Sequence, residues 1–181
     1  MLMALAASCS SHDSVENKLN RMRSSSVQLC LDSMDCWLPD SQKGCFSVQS
    51  PFKMVVYSDT SDCSMCYIRQ LELWNEYLSI EEKYNGRFSI LFIMEVRSGE
   101  MASLRENLLQ CGLNHPIYLD NKFLFRRHNP QIPEEEFFHC FLMKNDSVLL
   151  VGNPLKNEKV DELLKKVLSE RLGTDKNIQS K

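Results

Sequence analysis

Two apolar runs constrain the fold of this chain most strongly: FKMVVYS at residues 52 to 58 and RFSILFIME at residues 87 to 95. Each run is short and compact, which is typical of a buried strand. Residues 64 to 83 lie between them and predict a helix with one apolar face. Its apolar residues recur at steps of three or four: Ile68, Leu71, Trp74 and Leu78. The chain is therefore expected to form a strand, a helix and a second, parallel strand, with the helix ending at Asn85-Gly86.

The remaining elements extend this unit. The pattern predicts a helix at residues 100 to 111, a short strand at 115 to 119, a hairpin of strands at 136 to 143 and 147 to 151, and a last helix at 156 to 172. Alternating strands and helices favour a parallel portion of sheet covered by helices on both faces, and the hairpin adds an antiparallel edge. The predicted fold class is a mixed α/β sandwich.

One pair among the eight cysteines has a spacing with a chemical meaning: Cys63 and Cys66, at the start of the predicted helix. The N-terminus of a helix holds unpaired N–H groups and a partial positive charge, which stabilise a thiolate. Four interpretations stay open: a redox pair, a fixed disulfide, two free thiols in the core, and part of a metal site with Met65 as a soft ligand. Tetrahedral zinc needs four ligands, and no second pair of this kind accompanies the motif.

With these elements in place, the chain resembles a thioredoxin-like domain of the bacterial membrane-tethered kind. The resemblance covers about residues 48 to 170 and rests on VVYSDTSDCSMC, NHPIYLD and FLMKNDSVLLVGNP. It implies the thioredoxin-like α/β fold and thiol–disulfide exchange without a cofactor or a metal. Cys63 would be the nucleophile that attacks a disulfide, and Cys66 the thiol that resolves the mixed disulfide.

Three positions depart from the family pattern. Asp62 replaces the aromatic residue that often precedes the first cysteine, and Tyr57 replaces a buried carboxylate six residues before it. Phe138 stands where the family has a cis-proline. Tethered relatives use a glutamate elsewhere, and Glu95 and Glu100 are both candidates here. These departures favour the alternative function, a non-catalytic binding module that keeps a structural Cys63–Cys66 disulfide.

The first residues, MLMALAASCS, resemble the lipobox of bacterial lipoproteins, which implies lipidation of Cys9 and a location on the periplasmic or outer-membrane face. Residues 1 to 8 are then a remnant of the signal, and residues 9 to 26 a flexible tether. The alternative is a disordered N-terminus with a chance Ala-Ala-Ser-Cys. Residues 27 to 47 form an extension that opens with a short strand at 27 to 31. The thioredoxin-like domain spans 48 to 172, before a disordered tail at 173 to 181.

Charge and cysteine content limit the partners. The net charge is -3, and the 21 basic residues are interleaved with 24 acidic ones, so a nucleic-acid partner is not expected. The expected partners are thiols or disulfides of cell-envelope proteins and an unknown redox partner, with the membrane reached through the lipid anchor alone and the protein a monomer. A disulfide among Cys30, Cys36 and Cys45 would fasten the extension in an oxidising compartment. His139 and Cys140 are neighbours on a predicted strand, so they should point to opposite faces and form no catalytic pair.

Overall fold

A computed structural model describes residues 13–39, 48–60 and 64–173 of the 181-residue chain, without the side chains of residues 64–66. Three of the cysteines discussed above, Cys9, Cys45 and Cys63, lie outside the described residues.

A six-stranded mixed sheet forms the centre of the protein. Its strands are β1 (Asp35–Trp37), β2 (Phe52–Ser58), β3 (Phe88–Glu95), β4 (Ile117–Asp120), β5 (Cys140–Lys144) and β6 (Ser147–Val151). They lie in the order β1-β4-β3-β2-β5-β6. The three central strands β4, β3 and β2 run parallel, and β5 pairs antiparallel with β2. The hairpin of β5 and β6 closes one edge, and β1 closes the other by antiparallel pairing with β4.

Six α-helices accompany the sheet in the described residues. They are α1 (Val15–Ser24), α2 (Ser64–Leu71), α3 (Asn75–Lys83), α4 (Met101–Leu108), α5 (Leu124–His128) and α6 (Glu158–Leu172). A 3-10 turn, Glu72–Trp74, joins α2 to α3, so the helix predicted at residues 64 to 83 is present with one break. Among the described residues, no helix has both the length and the hydropathy of a membrane span.

Both faces of the sheet are covered, because side chains alternate between them along every strand. We call the side covered by α2, α3, α4 and α6 the helical face; Phe92 of β3 and Trp74 lie in its core. The opposite face is covered by α1, α5 and loops, and Phe125 and Phe141 lie in its core. The strand order, the helical crossover between β2 and β3, and the final hairpin with its helix confirm the predicted thioredoxin-like α/β fold.

The N-terminal region differs from the expected flexible tether. Residues 15 to 24 form helix α1, whose Ser14 side chain accepts a hydrogen bond from the Asn17 backbone N–H at 3.2 Å. Met22 is fully buried against the opposite face of the sheet. Only the side of the helix that carries Met22 is buried, so the polar side chains on its other sides stay in contact with solvent.

The predicted strand at residues 27 to 31 is also wrong. Val27 donates its backbone N–H to the Asp146 carbonyl at 2.8 Å, and Ser26 forms an isolated bridge with Ser147. The chain then leaves the edge of β6 and enters a 3-10 turn, Leu31–Ser33. The extension instead contributes β1 further along, so the sheet includes residues before the predicted domain start at 48.

Two further elements differ from the prediction. Residues 136 to 138 form a 3-10 turn, and β5 begins at Cys140. Helix α5 lies in a segment for which the sequence predicted no regular structure. Both differences lie at the carboxyl ends of β2, β3 and β4, next to the connection that leads to Cys63.

Candidate functional site

The cysteine motif lies on the connection between β2 and α2. Helix α2 begins at Ser64, the residue after Cys63, as predicted for a thiol at a helix N-terminus. Cys63 lies outside the described residues, and Cys66 belongs to the first turn of α2 without a described side chain. The roles of Cys63 as nucleophile and Cys66 as resolving thiol stay predictions.

A buried polar cluster lies at the carboxyl ends of β2 and β3, on the opposite face of the sheet. The Tyr57 hydroxyl donates a hydrogen bond to Oε1 of Glu95 at 2.7 Å. The Arg126 guanidinium lies 3.0 Å from Oε2 of the same carboxylate. The Glu95 side chain has no exposed surface, whereas the Arg126 side chain is 47% exposed. We call these three residues the Tyr57–Glu95–Arg126 cluster.

Burial dominates the electrostatics of this cluster. It raises the pKa of Glu95 above its ordinary value, while the hydrogen bond from Tyr57 and the charge of Arg126 lower it and the charges of Asp120 and Asp59 raise it further. Burial, followed by the hydrogen bond to Glu95, raises the pKa of Tyr57 well above its usual range. Tyr57 therefore keeps its proton at neutral pH, and Glu95 is the group in the cluster that can exchange one.

The structure separates the two candidate glutamates. Glu95 ends β3, and its carboxylate accepts the hydrogen bond from the Tyr57 hydroxyl. Glu100 lies in a 3-10 turn, is 51% exposed, and accepts a hydrogen bond from Arg97 at 3.4 Å. Ionisable groups with perturbed pKa values cluster at functional sites, and burial raises the pKa of Glu95, so Glu95 is the better candidate.

Helix α5 positions the arginine of the cluster. Asp120, at the end of β4, accepts hydrogen bonds from the backbone N–H of Phe125 at 2.8 Å and of Lys122 at 3.3 Å. Phe123 precedes the helix in the left-handed conformation, with φ of 55°, and its ring lies 5.8 Å from the Arg126 guanidinium carbon. The short turn after β4 thereby places a cation beside the carboxylate that ends β3.

The segment that contains Phe138 and His139 lies on the other side of Tyr57. Phe138 is buried at the end of a 3-10 turn, and the described residues contain no cis peptide bond. The His139 carbonyl accepts a hydrogen bond from the Tyr57 backbone N–H at 2.9 Å. The His139 ring packs edge-on against the Tyr57 ring at 4.8 Å, and its Nε2 lies 3.0 Å from the Pro133 carbonyl oxygen.

The other described cysteines are placed away from this cluster. Cys140 belongs to the core of the helical face, whereas the neighbouring His139 contacts Tyr57 on the opposite face, which confirms that the two form no pair. Burial raises the pKa of the Cys140 thiol well above its usual range, so it stays protonated. Cys111 is buried and free, and Cys30 is half-buried and free.

The structure tests part of the predicted disulfide in the extension. Cys36, on strand β1, is disulfide-bonded. Its partner is none of Cys30, Cys111 and Cys140, since those three thiols are free. The partner of Cys36 therefore lies outside the residues whose side chains are described, and the sequence leaves the connectivity among Cys30, Cys36 and Cys45 open.

Within the described ranges, no three His, Cys, Asp or Glu side chains come together as a metal site. This finding does not include the side chains of Cys63 and Cys66.

Sequence reasoning missed Arg126 and Asp120 as parts of the site. The motif LDNKF contains a usable signal, because an aspartate that ends a strand often accepts hydrogen bonds from the following turn. Arg126 has no such signal, since its pairing with Glu95 depends on the packing of α5 against the sheet.

The sequence matches no protein-family model and none of the curated proteins. Among solved structures, the chain is similar to a thioredoxin-like protein studied in solution in its oxidised form, with 12% identity, a TM-score of 0.46, and coverage of 80% of this chain and 95% of that one. It is also similar to an uncharacterized thioredoxin-like protein from Porphyromonas gingivalis, with 16% identity, a TM-score of 0.44, and coverage of 67% and 75%. At this level of similarity we infer nothing about activity, and the thioredoxin-like fold of this chain rests on the strand order and connections described above.

Proposed function

We propose that this protein carries out thiol–disulfide exchange on cell-envelope proteins through Cys63 and Cys66, with Glu95 as the proton acceptor. The observation that carries the proposal is the buried carboxylate of Glu95, held by Tyr57 at the end of β2, six residues before Cys63. A strand that leads through a short loop into the start of helix α2 supports a reactive thiol at that position.

In the reducing direction, the Cys63 thiolate attacks one sulfur of a client disulfide and releases the other sulfur as a thiolate. Cys66 then attacks the Cys63 sulfur of this mixed disulfide, which frees the client's second sulfur as a thiolate. Two electrons pass from the protein to the client, and the protein is left with a Cys63–Cys66 disulfide. The oxidising direction is the reverse sequence, in which a client thiolate attacks the protein disulfide.

Glu95 contributes by taking the proton that Cys66 loses before it attacks. A carboxylate whose pKa is raised by burial accepts such a proton at a pH nearer to neutrality than a solvated carboxylate does. Arg126 stabilises the ionised form, and Tyr57 orients it by donating to one oxygen only. Glu95 is a positioning and proton-exchanging residue in this proposal, and it forms no bond to the client.

The alternative function is a binding module with a permanent Cys63–Cys66 disulfide. Two features of the cluster support this alternative. Tyr57 keeps its proton, and Glu95 already has a hydrogen bond from Tyr57 and an ion pair with Arg126, so the cluster is stable without any thiol–disulfide exchange. Phe138 in place of the cis-proline supports the same alternative.

A redox titration of the full chain against glutathione, with mass-tagging of free thiols, separates the two functions. Exchange predicts a reversible two-electron transition between about -120 and -270 mV, which Cys66→Ser abolishes. Cys30→Ser is the matched control, because it removes a free thiol outside the motif and should leave the transition in place. If the Cys63–Cys66 pair stays oxidised below about -300 mV, it is a structural disulfide, and the exchange proposal is wrong.

The location on the cell envelope is part of the proposal and is supported by the sequence before Cys9. Expression of the full chain in a bacterial host tests it: lipidation predicts that the protein is found with membranes and that Cys9→Ser releases it. An equal distribution of the natural protein and the variant would contradict the anchor.

A further inference from the structure

A cavity of about 330 Å3 lies on the opposite face of the sheet, beside the Tyr57–Glu95–Arg126 cluster. Its walls come from the end of β2, helix α5 and the loop that runs from Asn129 to His139. Most of the wall residues are apolar or carry rings: Tyr57, Phe125, Pro130, Ile132, Pro133 and His139. The volume is near the lower end of the range for ligand sites, about 300–1,000 Å3, so the cavity suits one long side chain rather than a whole folded surface.

The charged residues of the wall give the cavity a negative potential. They are Asp59, Arg126 and Glu134. The guanidinium of Arg126 is already balanced, because it lies 3.0 Å from Oε2 of Glu95. Asp59 is 7% exposed, and its negative charge acts on both Tyr57 and Glu95. With Glu95 ionised, three carboxylates and one guanidinium have a net charge of -2, so the cavity attracts a cation and repels an anion.

The amide in the wall is satisfied within the protein. The Asn129 side-chain nitrogen donates to the carbonyls of Gln28 at 2.8 Å and Phe125 at 2.7 Å, and its Oδ1 accepts from the Gln28 backbone N–H at 2.8 Å. A carboxylate, by contrast, offers about four acceptor positions, so Asp59 and Glu134 can each accept from a ligand in addition to any partner in the protein. The polar part of a ligand that fits these walls is therefore a hydrogen-bond donor.

The rim of the cavity is acidic as well. Glu134, Glu135 and Glu136 follow one another in the loop, and all three are exposed. Glu135 pairs with Lys18 and Glu136 pairs with Lys156, whereas Glu134 has no ion pair among the described residues. The carboxylate that lines the cavity is thus the one of the three that a bound cation can pair with.

We infer that this cavity binds the side chain of an arginine or lysine from a partner protein. The aliphatic part of such a side chain packs against Tyr57 and Ile132, and its charged end donates hydrogen bonds to Asp59 and Glu134. Arginine is expected to bind more tightly than lysine, because its planar guanidinium presents several donors in a fixed geometry. The inference does not depend on the exchange function, since the cysteine motif takes no part in it.

The test uses the full chain labelled with 15N and short Gly-Ser peptides that carry one arginine, lysine or citrulline. Citrulline has the shape of arginine without its charge, so it is the matched control. Binding is followed through the backbone amide resonances of Asn129, Ile132 and Glu134. The arginine peptide should shift them in a saturable way, with a Kd about 5- to 10-fold lower than that of the citrulline peptide. Equal Kd values, or no saturable shift, would overturn the inference.

Two variants test the carboxylates. Asp59→Asn should raise the Kd of the arginine peptide about 10-fold, because this carboxylate is buried. Glu134→Gln should raise it about 2- to 5-fold, and it changes an exposed side chain, so it keeps the test valid if Asp59→Asn fails to fold. Glu135→Gln is the matched control, at the neighbouring residue that pairs with Lys18, and should leave the Kd unchanged. Equal losses for Glu134→Gln and Glu135→Gln would show attraction to the acidic loop as a whole and overturn the inference.

A third variant tests the position of the bound side chain. Ile132→Trp narrows the cavity from a half-buried position in the loop, and it should abolish binding of the arginine peptide. An unchanged Kd in a folded Ile132→Trp protein would place the cation elsewhere and overturn the inference.

A small cation tests the contribution of the aliphatic part. Ethylammonium has the charge of a lysine side chain but a shorter stem, so its Kd should be about 10-fold or more above that of the lysine peptide. Equal values would identify a site for small cations and overturn the inference. None of these probes contains a cysteine, so the result is independent of the redox titration.

Discussion

The two faces of the central sheet are built from the same strands but differ in chemistry. On the helical face, the strands present Val56 of β2, Met94 of β3 and Leu119 of β4 near their carboxyl ends. One residue further along, on the opposite face, the same strands present Tyr57, Glu95 and Asp120. A step of one residue along each strand therefore separates an almost wholly apolar core from a buried polar site, because successive side chains point to opposite faces.

The elements that pack on the two faces of the sheet differ as well. Four amphipathic helices shield the helical face, of which the 15-residue α6 is the longest, and the core beneath them is almost wholly apolar. The opposite face has the five-residue helix α5, the loop before β5 and helix α1. Short elements and loops bring backbone and side-chain hydrogen-bonding groups close to the buried carboxylates, and this arrangement lets ionisable groups remain on the inside.

The largest loss of stability is expected when a mutation creates a cavity in the core of the helical face. Phe92 is fully buried, and its ring contacts Trp74 edge-on at 5.7 Å. Phe92→Ala should lower the free energy of unfolding by about 3–5 kcal/mol, measured by urea denaturation. Leu163→Ala, at a 47% exposed position of α6, is the control and should change it by less than about 0.5 kcal/mol. Similar losses for both variants would show that the helical face is not a close-packed core.

The next effect concerns the hydrogen bond to the buried carboxylate. Tyr57→Phe removes the donor to Glu95 without changing the ring, and it should lower the unfolding free energy by about 1–3 kcal/mol. Tyr67→Phe is a matched change on the helical face, where the hydroxyl donates to the Val56 carbonyl at 3.3 Å. Its expected loss is smaller, about 0.5–1 kcal/mol, because that acceptor is neutral. Equal losses for the two variants would mean that the charge of Glu95 does not strengthen the hydrogen bond from Tyr57.

Removal of the cation is expected to cost less, because Arg126 is partly exposed and its interaction is screened by solvent. Arg126→Met should lower the unfolding free energy at pH 7 by about 1–2 kcal/mol and raise the pKa of Glu95 further. Arg127→Met, at the exposed neighbouring position, should stay within about 0.5 kcal/mol of the natural protein. Urea denaturation of both variants at one pH gives the comparison, and a larger loss for Arg127→Met would contradict the pairing.

The smallest effect is a change of stability with pH. Burial raises the pKa of Glu95 above its ordinary value of 4.5, so the folded protein holds this proton more tightly than the unfolded chain. As the pH rises above about 4.5, the unfolded chain ionises first, and Glu95 therefore contributes less and less to stability. Glu95→Gln has no such titration, so its stability relative to the natural protein should increase between pH 4.5 and pH 8. Urea denaturation of both proteins across this pH range measures the difference, and a difference that does not change with pH would refute the burial argument.

The sequence predicted the parts of the fold that carry strong periodicity. The buried runs at β2 and β3, the amphipathic helices on the helical face and the final hairpin follow from apolar spacing alone. Helix α5 was missed because five residues are too few to display a period of 3.6. The polar composition of α1 predicts a tether, although Ser14 as a cap and the spacing of Leu19 and Met22 are signals of a helix.

The site was predictable only in part, for a different reason. The cysteine motif and the two candidate glutamates, Glu95 and Glu100, could be identified from the sequence, but the choice between them depends on which carboxylate is buried beside Tyr57. The pairing of Arg126 with Glu95 and the ring contact of His139 with Tyr57 join segments that are distant along the chain. Local patterns do not determine such contacts, since they follow from the strand register and the packing of loops.

The docking of α1 has a consequence for how the protein is made. Val27 and Ser26 bind the turn and first residue of β6, which lie about 120 residues later in the chain. At synthesis rates of about 5–20 residues per second, these partners emerge from the ribosome roughly 6–24 s after α1 does. Helix α1 is thus synthesised before the sheet but can dock only after β6 has been made. Its many charged and amide side chains keep the undocked helix soluble during that time, whereas an apolar segment would be prone to aggregate before its partner strand exists.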